Sequence, residues 1–163
     1  MPNSSFIRIA KNRIMTDLQS DNEIIEALGI NDNEDKDSLV YTRLFPHYFI
    51  PETQEIVKTY IMVEIDIEQQ RTHYGNSSSN IVYPTITFTV LSHQKDMRLD
   101  LIGVSAVRTD YIAELIDLKY NGKDGFGLKG LEVISNVAGS LSDTYRFRQV
   151  VFKSADFNDS YCE

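Results

Sequence analysis

The chain reads as an α+β domain: a mainly antiparallel β-sheet packed with an N-terminal helical segment and one central helix. Three observations predict it. Apolar residues return every third or fourth position over residues 6–19 and again from about Val104 to Lys119. Two segments, 57–68 and 81–92, alternate apolar and polar residues around the polar stretch HYGNSSSN (73–80), the pattern of a long hairpin. Two further strand signals, 131–135 and 144–153, follow the second helix without a βαβ rhythm, which favours antiparallel pairing.

Taken in order, Ile7, Ala10, Ile14 and Leu18 share one face of a first helix, with Arg8, Lys11, Asn12 and Asp17 on the others. Ser20 and Glu23 form a capping-box pattern before Ile24, Ile25, Ala27 and Leu28, and Gly29 offers a stop. NDNEDKDS (31–38) is a solvated acidic loop by composition. It fails as a calcium loop, because counting from Asp32 the glycine position holds Asp37. FPHYFIPE (45–52), with two prolines among aromatics, is an extended segment or edge strand. In 81–92, Val82, Ile86, Phe88 and Val90 face one way, and Tyr83, Thr85, Thr87 and Thr89 the other. Asn121-Gly122 ends the central helix, and GKDGFGLKG (122–130) is a glycine-rich turn.

At 163 residues and 42% hydrophobic, the chain fits one domain (1–163, helices in 1–30 and a sheet-and-helix core in 43–163) that needs no staples. Its single cysteine, Cys162, rules out an internal disulfide framework. No stretch of secretory or membrane-spanning character is present, so the expected compartment is the cytoplasm. With 24 acids against 16 bases the net charge is −8, which disfavours wrapping nucleic acid but not letting DNA slide past.

Catalytic patterns are weak. Ser92-His93-Gln94-Lys95 matches S-x-x-K without the partner motifs that the chemistry needs. His47, His73 and His93 lack metal-ligand spacing, and GKDGFGLKG leads into strand-like residues where a phosphate loop would open a helix. No catalytic residue, metal or cofactor is expected.

The most unusual stretch is YIMVEIDIE (60–68). On a strand, Ile61, Val63, Ile65 and Ile67 share one side, and Glu64, Asp66 and Glu68 line the other. Three equivalent acids offer no contrast of environment, so they make a poor general acid/base set. They are either a solvated sheet face or a surface that meets something. Arg146 and Arg148, two apart on the last strand, are the complementary candidates on a neighbouring copy, a head-to-tail contact of the kind that closes into rings.

In order of elements, the chain resembles the tail terminator and head–tail joining proteins of tailed bacteriophages and prophages. The residues that carry the likeness are DLQSDNEIIEALGI, LFPHYFIPE, YIMVEIDI, GVSAVRTDYIAELIDLKYNG, GLEVISN and RQVVFKSADFN. The resemblance implies a non-enzymatic virion protein assembled in the bacterial cytoplasm. It would form a homo-oligomeric ring, commonly a hexamer, that ends the tail tube and joins it, possibly with the sheath, to the neck and connector. DNA would pass through without specific binding. Glu64, Asp66 and Glu68 then either line the lumen or meet Arg146 and Arg148 of the next subunit, the contact being the preferred reading. The alternatives are another neck or head-completion protein (stopper or adaptor), a small cytoplasmic binding domain, and an enzyme using the acids or the Ser92–Lys95 segment.

Overall fold

In the computed structural model, residues 3–30, 34–74, 77–126, 130–154 and 156–157 are described. The predicted first helix is α1 (Asn3–Gln19), whose Ala10, Ile14 and Leu18 are buried. α2 (Asn22–Ala27) follows, but Ser20 is not its cap. Asp21 is extended, and its carboxylate accepts from the amides of Glu23 and Ile24, while the Ser20 hydroxyl donates back to the Thr16 carbonyl. Aspartate caps at least as well as serine, and here it also gains Lys119, 2.7 Å away. Gly29 (φ +70°) takes the left-handed position that ends the helix.

The acidic loop is not simply solvated. Its first three positions, 31–33, lie outside the described residues. In the remainder, Asp35 caps a 3-10 turn over Lys36–Ser38, and Glu34 binds the buried Arg43 through Nε at 3.0 Å. β1 (Leu44–Phe45) opens the aromatic-proline stretch as a two-residue edge strand parallel to β2, in keeping with the extended reading.

β2 (Thr59–Tyr74) and β3 (Ser77–His93) pair antiparallel from Thr59↔Ser92 to Tyr74↔Ser77. Most of the predicted polar loop 73–80 is therefore strand. Serine, asparagine and glycine are poor strand formers alone, but an established register extends along the hairpin and overrides local propensity. β4 (Arg98–Leu101) and β5 (Val104–Val107) form a second hairpin that the helical periodicity concealed, turning at Ile102-Gly103 with Gly103 at φ +80°. The central helix α3 (Arg108–Tyr120) consequently begins four residues later than Val104, and it ends, as predicted, before Asn121-Gly122.

The segment after α3 links helix to strand and is not a hairpin turn. It closes through Gly122 N–H to the Leu131 carbonyl (2.7 Å) and Leu131 N–H to the Lys123 carbonyl (3.0 Å), with residues 127–129 outside the described set. β6 (Glu132–Ser140) runs five residues past the predicted 131–135, and β7 (Tyr145–Lys153) matches its prediction. Backbone pairing with β7 carries Asn136–Ser140 despite its small residues, and a bulge lies between Val133 and Ser135.

The sheet order is β1-β2-β3-β7-β6, and β8 (Asp156–Phe157) pairs with β3 beyond the end of β7. The main ladder between β3 and β7 stops at Thr85, next to Pro84, which has no N–H to donate. The three helices and the β4–β5 hairpin cover one face. There Ile61, Val63, Phe88, Val90, Val150 and Phe152 meet Ile14, Leu18, Ile112 and Ile116 in one contiguous core. The fold is thus the α+β class that the sequence predicts.

Candidate functional site

The other face of the sheet is the candidate site. The register places Tyr60, Met62, Glu64, Asp66 and Glu68 of β2 beside Leu91, Thr89, Thr87, Thr85 and Tyr83 of β3, with Phe147, Gln149, Val151 and Lys153 of β7 next in line. One end is roofed. Phe45 and Phe49 stack at 3.9 Å over Tyr60, and with Met62, Leu91 and Tyr145 they form a small second core. This gives the aromatic-proline stretch a role that its sequence did not disclose. The Tyr145 hydroxyl donates to the Ile56 carbonyl, and burial raises its pKa above the usual phenol value.

Beyond that roof the acids are placed as predicted, but they are not equivalent. Glu64 is committed inside the chain: Oε2 lies 3.0 Å from Lys11 Nζ, and Oε1 accepts the Tyr48 amide at 2.6 Å. Lys11 also donates to the Pro46 carbonyl, so Glu64 clamps α1 and the roof to the edge of β2. Asp66 is exposed and has no ionic partner among the described residues. Glu68 is exposed, with Lys153 Nζ at 4.0 Å, a distance at which a surface pair contributes little.

Arg146 and Arg148 lie on the opposite, helix-covered face, in line with Ser92 and Val90. Arg148 donates to Asp110 on α3 (2.6 Å) and Asn136 on β6 (3.1 Å), and Arg146 to the Ser140 hydroxyl and the Ser142 carbonyl. Within one chain the sheet separates them from the acids.

Residues of the S-x-x-K stretch serve a buried polar network. Ser92 Oγ shares a hydrogen bond with Thr59 Oγ1 (2.8 Å), which also donates to Asp96 (2.7 Å). Asp96 pairs at 3.2 Å with Arg108, 8% exposed, whose Nη1 donates to the Ala27 carbonyl. Arg43, 3% exposed, donates to the Thr59 carbonyl and to Glu34. The Arg43 hydrogen bond holds the Glu34 carboxyl below its usual pKa against the opposing effect of burial. His93 is buried, with Nδ1 accepting the Lys95 amide and Nε2 on the Gln54 carbonyl, while His47 is exposed and the side chain of His73 lies outside the described residues. Two buried arginines, Arg43 in a loop and Arg108 at the first position of α3, were missed. Their only signal was an isolated basic residue with one apolar neighbour, which is also how a solvent-facing arginine looks.

Among the described residues, no three His, Cys, Asp or Glu side chains are grouped to hold a metal, and no helix is long and apolar enough to cross a membrane.

A sheet clothed by helices on one side and left polar on the other defines an α+β protein whose open face is available to solvent or to a partner. Comparison with protein families matches residues 21–154, and the chain belongs to the YomW family. That family is of the Bacillus phage SPbeta type, which makes this a phage-associated protein. Comparison with curated proteins gives no match.

Proposed function

We propose that the chain is a structural virion protein that forms a homo-oligomeric ring, six copies being the expected number, at the head-proximal end of the phage tail. The ring ends the tube and joins it to the neck and connector, and the genome passes through its centre. The observation that carries this reading is the open sheet face of a phage-associated chain, with Asp66 and Glu68 exposed and the nearby arginines engaged on the far side of the sheet. A negative wall repels phosphates and lets DNA move without sticking. The commitment of Arg148 to Asp110 and Asn136 favours a lumen position for the acids over a contact with the next copy's arginines. The side chains that an enzyme would recruit, Ser92 and His93, are bound up in the packing of β2 against β3 and the 94–96 turn, which favours action through shape and charge.

The test is the mass of the purified chain in solution and its presence in purified particles. A ring, in solution or on isolated tail tubes, is expected. Neutralising the pair as Asp66→Asn with Glu68→Gln should leave the ring intact and slow DNA release from particles. A monomer at every concentration, absent from particles, overturns the reading.

A further inference from the structure

Among the described residues β6 is the outer strand of the sheet, paired with β7 alone, and over nine residues it carries one charge, Glu132. Ile134 and Val137 on it are 55% and 49% exposed. Proteins usually protect so long an edge with lysine, proline or a covering loop. Here the outward Val133 amide goes to Asn121 Oδ1, and no second strand lies along the rest among the described residues.

The same sheet has a second free edge. β1 pairs with β2 at Ile61 and Met62, and the Glu64 clamp follows, so among the described residues no strand lies on the outer side of β2 over residues 65–74. We propose that β6 is a strand-addition site whose occupant is this β2 edge of a second copy.

Strand direction supports the match. β2, β3, β7 and β6 alternate, four strands in all, so β6 runs opposite to β2. A copy related by rotation about a ring axis keeps its strand directions, and β6 therefore meets the next β2 as an antiparallel neighbour, the better-bonded arrangement. The two edges are also offset along the strands. β6 lies, across β7 and β3, level with residues 59–66 of β2, whereas the free edge is 65–74, and closing a sheet on itself demands a stagger of this kind.

Charge selects the partner. Two β2 edges would oppose acidic strips, a destabilising arrangement, whereas β6 offers Ser135, Val137 and Gly139 on the open face beside the acids. This inference rests on the ring reading and names its contact.

The experiment compares the wild-type chain with Ile134→Lys and Val137→Lys, two edge lysines on solvent-exposed positions. Folding is checked by urea unfolding, mass is measured in solution and on tail tubes, and amide exchange is followed along β6 and β2. Expected are protected amides in both 132–140 and 65–74 of the wild-type ring, and loss of ring mass and of both protections in folded variants. Rings that persist in both variants, or that leave these amides exchanging freely, overturn the edge pairing but leave the ring reading standing. A dimer protected on β6 alone shows β6-to-β6 pairing and also overturns it. A wild-type chain that is monomeric under all conditions removes both.

Discussion

Replacing Arg108 by methionine should cost about 3 kcal/mol of folding stability. Arg108 is nearly enclosed, its guanidinium donating through Nε to the Asp96 carbonyl (2.6 Å) and through Nη1 to the Ala27 carbonyl, with Nη2 3.2 Å from the Asp96 carboxylate. Methionine fills much of the volume but takes the Arg108 donor from Asp96 Oδ1 and from the Ala27 and Asp96 carbonyls, leaving the carboxylate only Thr59 at Oδ2. Breaking one side of a buried pair costs roughly 3–5 kcal/mol, and the low end applies because the Asp96 side chain keeps 24% of its surface. For a chain of this size the loss corresponds to a melting temperature lower by about 6–12 °C and a urea midpoint lower by about 1–2 M. Arg108→Lys should recover less than half, since one ammonium cannot span three acceptors on α2, the 94–96 turn and β4. Urea unfolding followed by circular dichroism reads both variants. A loss under about 1 kcal/mol for Arg108→Met would refute the claim that this network ties the β4–β5 hairpin to α2.

Tyr120→Phe should be neutral or stabilise by up to about 1 kcal/mol, because the buried Tyr120 hydroxyl has no hydrogen-bond partner among the described residues and burial raises its pKa; thermal melts decide. Asp21 has its pKa lowered. Burial would raise it, but the Lys119 hydrogen bond and the Ile24 and Glu23 amides outweigh that effect. Its ionised form favours folding, so the contribution is complete above the ordinary aspartate value and is lost as pH falls through the lower folded value. Asp21→Asn should therefore be less stable than wild type by roughly 0.5–1 kcal/mol at neutral pH, with the gap closing as pH falls through the lowered folded value, as read by urea titrations at neutral and acid pH. Gly139→Ala should cost about 1–3 kcal/mol, since its Cβ would run into the ring of Phe147. Reduced stability with an unchanged mass in dilute solution is the expected pair of results.

What was legible in the sequence is whatever a single period encodes. Ile61, Val63 and Ile65 against Glu64, Asp66 and Glu68 fixed both faces of β2, and α1 and β7 were equally plain, because each buries one stripe against one neighbour. Hidden elements were those decided by distant partners. Val104 and Val107 fit the helical period of the residues after them, yet pairing with β4 makes 104–107 a strand. Asn136–Ser140 has little intrinsic reason to be extended except β7 alongside. At the candidate site, the acids could be located but not their inequality. Glu64 differs from Asp66 only through Lys11, 53 positions away, and Tyr48, and nothing local announces either.

The long hairpin outruns the sheet that supports it. β7 leaves β3 at Thr85, and the four pairs from Arg71↔Asn80 to Tyr74↔Ser77, about 13 Å of hairpin, have no third strand beside them among the described residues. A two-stranded ribbon gains stability when a third strand joins it. Its amides are therefore natural reporters: their exchange rates register whether a third strand has arrived from another molecule.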